Sequence, residues 1–94
     1  MVEIIWSGPA LRDLEQILTH IAKDSPYYAS KTVDEIIGIT TTLKYFPKSG
    51  RIVPEYRNTR MREIFYKAYR VIYEILPQQV QIVTIIHGSR LLPH

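Results

Sequence analysis

The stretch MREIFYKAYRVIYEILPQQVQIVTIIH, from Met61 to His87, decides the fold. It divides into three runs rich in β-branched and aromatic residues, Met61 to Tyr66, Tyr69 to Ile75 and Val80 to His87, each with a side-chain period of two. In the middle run Tyr69, Val71, Tyr73 and Ile75 share one face of a strand, and Arg70, Ile72 and Glu74 the other. In the last run Val80, Ile82, Thr84 and Ile86 oppose Gln81, Val83, Ile85 and His87. Only Lys67-Ala68 and Leu76-Pro77-Gln78-Gln79 separate the runs. Connections this short join antiparallel neighbours, so the second half of the chain is predicted to be a three-stranded antiparallel meander.

Upstream, the period changes from two to 3.6. Ser7-Gly8-Pro9 supplies a capping hydroxyl and a proline suited to the first helical turn. Leu11, Leu14, Ile17, Leu18 and Ile21 then follow at helical spacing as far as Lys23 or Asp24. Ser25-Pro26 repeats the start signal, and Ala29, Val33, Ile36, Ile37, Thr40 and Leu43 form the stripe of a second helix. Gly38 and Thr40-Thr41-Thr42 are poor helix formers, so tertiary packing must hold that helix. The short link makes the pair an antiparallel hairpin. Before it, Val2 to Trp6 reads as a first strand whose place in the sheet the pattern leaves open. Between the second helix and Met61, Phe46-Pro47-Lys48-Ser49-Gly50 opens an irregular basic stretch through Arg60. The sum is an α+β domain over residues 1–94, with the helix hairpin laid on one face of a twisted antiparallel sheet. A second core would need roughly 50 more residues.

Composition excludes several classes. The 46% hydrophobic content is that of a folded chain, not a disordered one. Without cysteine there is neither a disulfide framework nor a thiolate metal site. His20, His87 and His94 lack ligand spacing, and Gly8, Gly38, Gly50 and Gly88 are too scattered for a phosphate-cradling loop. No metal, cofactor or small-molecule substrate is therefore expected. Glu3 and Trp6-Ser7-Gly8-Pro9 interrupt any leader-like apolar run, no run approaches the ~20 residues of a membrane span, and a cytoplasmic location is expected.

Charge is distributed unevenly. Residues 1–43 carry a net −3 and residues 44–94 a net +6, within a total of +3. The basic half is the expected contact surface for an acidic partner, nucleic acid or protein. Arg62, Arg70, His87 and Arg90 lie on or just after the predicted strands, where antiparallel pairing can gather distant positions. Guanidinium groups grip phosphate and stabilise charge building on a phosphorane, and histidine moves protons near neutral pH. The competing reading pairs Arg70 with Glu63 or Glu74 across the sheet as a structural ion pair. Tyr66, Tyr69 and Tyr73 read as sheet core or sheet surface, and Tyr27 and Tyr28 as packing at the helix bend.

The order of a strand ending in Trp6, Ala10-Leu11-Arg12-Asp13-Leu14, Leu43-Lys44-Tyr45-Phe46-Pro47, Gly50, Arg62-Glu63-Ile64, Tyr69-Arg70-Val71-Ile72-Tyr73-Glu74 and Ile86-His87-Gly88-Ser89-Arg90 resembles the RelE/ParE toxin superfamily over nearly the whole chain. The resemblance implies the toxin of a type II toxin–antitoxin module, neutralised by an antitoxin whose C-terminal segment wraps it. RelE-like members cleave mRNA in the ribosome with basic residues of the sheet and, often, a tyrosine or histidine near the C-terminus. Arg70 and Arg90 fall where that branch places arginines, and His87 where some members place a histidine; Met61 and Glu63 stand where RelE has lysines, and the sequence ends at His94 before its terminal tyrosine. ParE-like members poison DNA gyrase without catalytic residues of their own, and the Arg-Glu-Ile and Tyr-Arg-Val-Ile-Tyr strands with the His-x-x-Arg ending are similar to that branch. The resemblance implies ParE-like gyrase inhibition, with RelE-like ribosome-dependent mRNA cleavage as the alternative. In the RNase case Arg62, Arg70, His87 and Arg90 would be catalytic; in either case Arg60, Arg62, Arg70 and Arg90 would contact target or antitoxin.

Overall fold

A computed structural model describes residues 1–88. Strand β1 (Glu3–Trp6) leads into α1 (Gly8–Ala22) and α2 (Pro26–Thr41); after two 3-10 turns, Thr42–Lys44 and Pro47–Ser49, come β2 (Arg51–Ile52), β3 (Met61–Tyr66), β4 (Tyr69–Leu76) and β5 (Gln79–His87). The sheet order is β1-β5-β4-β3-β2. Both helices begin as the serine-proline pairs predict. Ser7 Oγ accepts from the Ala10 amide at 3.1 Å, and Ser25 Oγ from the Tyr28 amide at 3.1 Å. The hydroxyls of Thr40, Thr41 and Thr42 bond back to carbonyls of the preceding turn, which weakens the helix end. Burial of Ile36 and Leu43 offsets this, at about 1.5–3 kcal/mol for each side chain.

The α+β architecture stands, and the sheet is mixed instead of wholly antiparallel. β2 to β5 form an antiparallel array, while β1 joins β5 in parallel, with Glu3 opposite Gln79 and Trp6 opposite Ile82. Ile4 and Trp6 thereby reach the same core as Val80 and Ile82. The Ser7 amide donates to the Ile82 carbonyl at 3.0 Å, so the strand is fixed where it turns into α1. The stretch predicted to be irregular contains β2, whose two residues lie opposite Arg62 and Glu63.

A second difference lies in β5. The register shifts between Ile72, opposite Thr84, and Tyr73, opposite Ile82, leaving Val83 as the extra residue of a bulge. Strict alternation fails there. Val80, Ile82 and Ile85 join the helix-facing core, whereas Val83 and Ile86 pack with Val53, Ile72, Tyr56 and Met61 in a smaller cluster on the opposite face. Of the two places left open for the sheet tyrosines, core and surface, Tyr66 and Tyr73 take the core, whereas Tyr27 and Tyr28 are mostly exposed at the bend, with the Lys67 ammonium 5.5 Å from the Tyr28 ring centre.

The β4–β5 turn places Gln78 at φ 62 after Pro77, a left-handed conformation that favours glycine. Replacing Gln78→Gly removes a strain of about 1–2 kcal/mol against a glycine entropy penalty of about 0.5–1 kcal/mol. Urea denaturation is expected to show a net gain of about 0.5–1 kcal/mol; a loss would mean that the side chain contributes more than its backbone costs.

Candidate functional site

The face of the sheet away from the helices is roofed by the chain between β2 and β3. Val53 is fully buried against Ile72, and the Val53 amide donates to the Met61 carbonyl at 3.0 Å. This roof brings Glu55 over β4. Glu63 of β3 and Arg70 of β4 point to the same face, because their strand neighbours Ile64, Tyr69 and Val71 belong to the helix-facing core.

The result is a chain of ion pairs across the outer face. Arg70 Nε donates to Glu63 Oε1 at 2.6 Å, while Nη1 and Nη2 donate to Glu55 Oε2 and Oε1 at 2.8 and 2.9 Å. Arg51 Nε reaches the other oxygen of Glu63 at 2.5 Å. Glu63 is 1% exposed and Arg70 5%, so these charges are largely removed from water. The carboxylates, Glu55 foremost, hold the Arg70 guanidinium charged and raise its pKa above the ordinary arginine value against the opposing effect of burial. All three guanidinium nitrogens are committed to carboxylates. Of the partners weighed from sequence for Arg70, Glu63 is found and, among the described residues, Glu74 does not pair with it; Glu55 was missed because it lies in a stretch without periodicity.

Arg62 is on the opposite face, paired in register with the buried Tyr73. Its Nε donates to the Thr59 carbonyl at 3.0 Å, and Nη1 to the Lys48 and Gly50 carbonyls at 3.3 and 3.1 Å. It therefore clamps the turn before β2 to the loop before β3. Tyr73 completes the clamp: its hydroxyl donates to the Pro47 carbonyl at 2.7 Å and accepts from the Gly50 amide at 2.9 Å. Burial raises the Tyr73 pKa, which keeps this hydroxyl a neutral donor. Arg60 is exposed; its amide donates to Asn58 Oδ1 at 3.0 Å, and its carbonyl accepts from the Ile75 amide at 2.8 Å.

His87 lies at the far end of the sheet, opposite Tyr69, with the two rings edge to face at 5.9 Å. A cleft of about 390 Å³ there is lined by Asp13, Gln16, His20, Tyr69 and His87 among others. Asp13 fixes one wall, since its Oδ2 accepts from Thr84 Oγ1 at 2.5 Å and from the Ile85 amide at 3.0 Å beside the bulge. Asp13, Gln16 and His20 recur at i, i+3 and i+7, and this spacing on one helical face was the available signal for the wall.

The described cations and His87 thus do not assemble into one cluster. Arg62 pairs with Tyr73 and His87 with Tyr69, four residues apart along β4 or roughly 13 Å at strand rise, and Arg70 faces the other side. Arg90 lies outside the described residues. Among the described residues no group of three or more His, Cys, Asp or Glu is placed to hold a metal ion, and no helix is long and apolar enough to cross a membrane.

Comparisons with known proteins agree on the lineage. Residues 4–92 match the family model described as the ParE toxin of the type II toxin–antitoxin system parDE. The protein Y4kP of Sinorhizobium fredii is 32% identical over 90 residues, covering 96% of this chain and 92% of that protein. The toxin RelE2 of Caulobacter vibrioides is 28% identical over 92 residues, covering 97% of this chain and 100% of that protein. The fold matches a chain from the chromosomal ParDE toxin–antitoxin system of P. aeruginosa with a TM-score of 0.79 at 21% identity, covering 95% of this chain and 98% of that one. A five-stranded sheet under a helix hairpin and a family match spanning almost every residue lead to one conclusion: the chain belongs to the ParE toxin family and is the toxin of a type II toxin–antitoxin system, whose partner is a cognate antitoxin.

Proposed function

We propose that this toxin arrests growth by binding DNA gyrase and poisoning it, without cleaving RNA itself. The observation that carries this reading is the state of Arg70. An RNA-cleaving arginine must reach a phosphate, whereas this one is 5% exposed and donates from every guanidinium nitrogen to Glu63 and Glu55. Binding a protein target makes no such demand. The exposed cations Lys48, Arg51, Arg57 and Arg60 offer an electrostatic surface for an acidic partner, target or antitoxin, and Arg62 and Arg90 extend the same proposal.

Purified toxin is expected to convert supercoiled plasmid to linear DNA when gyrase and ATP are present. Unaltered plasmid at micromolar toxin would reject the proposal. The second reading, a RelE-like mRNA endoribonuclease, draws on the cleft that brings His87, Tyr69 and His20 together. It requires codon-positioned cuts in mRNA on programmed ribosomes, lost in Arg90→Ala and His87→Ala.

A further inference from the structure

From the geometry of the turn between α2 and β2 we infer a target-binding anchor: Tyr45 and Phe46 insert into an acidic-rimmed apolar pocket on the protein that this toxin inhibits. The inference rests on the reading that the toxin acts by binding a protein. It adds the surface that does so.

Tyr45 and Phe46 are 65% and 67% exposed, adjacent in sequence, and lie between Lys44 and Lys48. Exposed aromatic side chains are ordinary on floppy loops. These two sit on backbone that is fixed from both sides. The Val2 amide donates to the Lys44 carbonyl at 3.1 Å, and the Tyr45 and Phe46 amides donate to the Thr42 carbonyl at 3.2 and 3.1 Å. On the other side the Ser49 amide donates to the Phe46 carbonyl at 3.0 Å, the Tyr73 hydroxyl holds the Pro47 carbonyl, and Arg62 holds those of Lys48 and Gly50. A buried tyrosine and a half-buried arginine are thus spent on immobilising a turn whose own aromatic side chains stay in water.

That combination suits binding more than folding. Rigid aromatic anchors lose little conformational entropy on association, and tyrosine is over-represented among the residues that dominate interface energies. The flanking lysines specify the rim of the partner's pocket, because an acidic rim is attracted and a basic one repelled. A symmetric pairing with a second copy of this chain would bring Lys44 and Lys48 against the same two lysines, so charge disfavours that arrangement and favours a different protein. The buried ion pairs of Arg70 lie on the outer sheet face and are not part of this turn.

The test uses the whole toxin carrying Tyr45→Ser with Phe46→Ser and, separately, Lys48→Glu. Three quantities are measured: growth arrest on induction, gyrase-dependent plasmid linearisation, and thermal melting. The paired serine variant is expected to need at least about tenfold more protein for growth arrest and for linearisation, with melting close to the parent. Lys48→Glu is expected to shift both in the same direction, and because it alters only an exposed charge it tests the surface even if the serine pair folds poorly. Parental potency in either well-folded variant overturns the inference. Undiminished toxicity that co-expressed antitoxin no longer neutralises also overturns it, by assigning the turn to the antitoxin. If the parent arrests growth but leaves gyrase unaffected, the gyrase reading fails, and growth arrest alone then decides the role of the turn.

Discussion

Arg70→Ala is expected to destabilise the fold by about 3–5 kcal/mol, the range for breaking a buried ion pair by removing one partner. The substitution leaves Glu63, 1% exposed, with only Arg51 as a cation, and leaves Glu55 with none of the bidentate bonds through which it holds the roof over the outer face. The side chain of Arg51 is 58% exposed, so water screens its attraction and it does not replace Arg70. In a domain of this size the melting temperature should fall by roughly 15 °C or more. Replacing the whole set, Arg70→Met with Glu63→Gln and Glu55→Gln, should recover much of the loss, because no uncompensated charge then remains buried. Thermal and urea unfolding followed by circular dichroism measure both. A decrease below about 1 kcal/mol for Arg70→Ala would mean that the pairs contribute little in solution. The prediction also bears on mechanism: loss of toxicity in Arg70→Ala is expected to follow loss of folded protein, and is no evidence for a catalytic arginine.

Gly50→Ala should cost about 3 kcal/mol, near the upper end for overpacking a closed site. The reason is close approach, since the backbone at Gly50 has an ordinary φ of −75°. A methyl group there would lie 2.5 Å from the Tyr73 hydroxyl oxygen and 2.6 Å from the Glu63 carbonyl oxygen. Moving away breaks the Gly50 amide bond to that hydroxyl, so a buried donor is unmade as well as a contact strained. Adding Tyr73→Phe removes the nearest atom but leaves the ring carbon at 2.9 Å and the carbonyl, so the two substitutions should be non-additive, with partial rescue. Strict additivity in urea denaturation would show that the tyrosine is not what excludes the methyl group.

What was legible in the sequence was what local chemistry determines. Two serine-proline pairs marked two helix starts, and the period-two runs after Met61 marked three strands to within a residue. What was not legible depends on closure of the whole sheet. β1 contains nothing that selects β5 as its neighbour; its place follows from the path of the helix hairpin and from apolar residues shared across the core. The bulge at Val83 is invisible because valine, threonine and isoleucine suit either face of a strand, and only the Asp13 contacts to Thr84 and Ile85 reveal the turned backbone. The candidate site suffered from the same limit. Arg62, Arg70 and His87 were correctly placed on strands, but strand parity and register send them to different faces and ends. Glu63 was a visible partner for Arg70, being on the adjacent strand; Glu55 became one only through the roof between β2 and β3.

The parallel ladder between β1 and β5 has a consequence for synthesis. It joins residues 3–6 to residues 79–82, and β5 also receives β4 on its other side and the Ser7 and Asp13 bonds of the helix hairpin. A nascent chain lacks β5, which joins β1 to the rest of the sheet, until residue 87 has been made, and contacts this distant in sequence are the slowest to form. The helices and the first strand therefore wait, with their apolar faces unsatisfied, for residues 79–87 to arrive. A chain truncated before Gln79 is therefore expected to lack the link between β1 and β4, and with it the folded sheet.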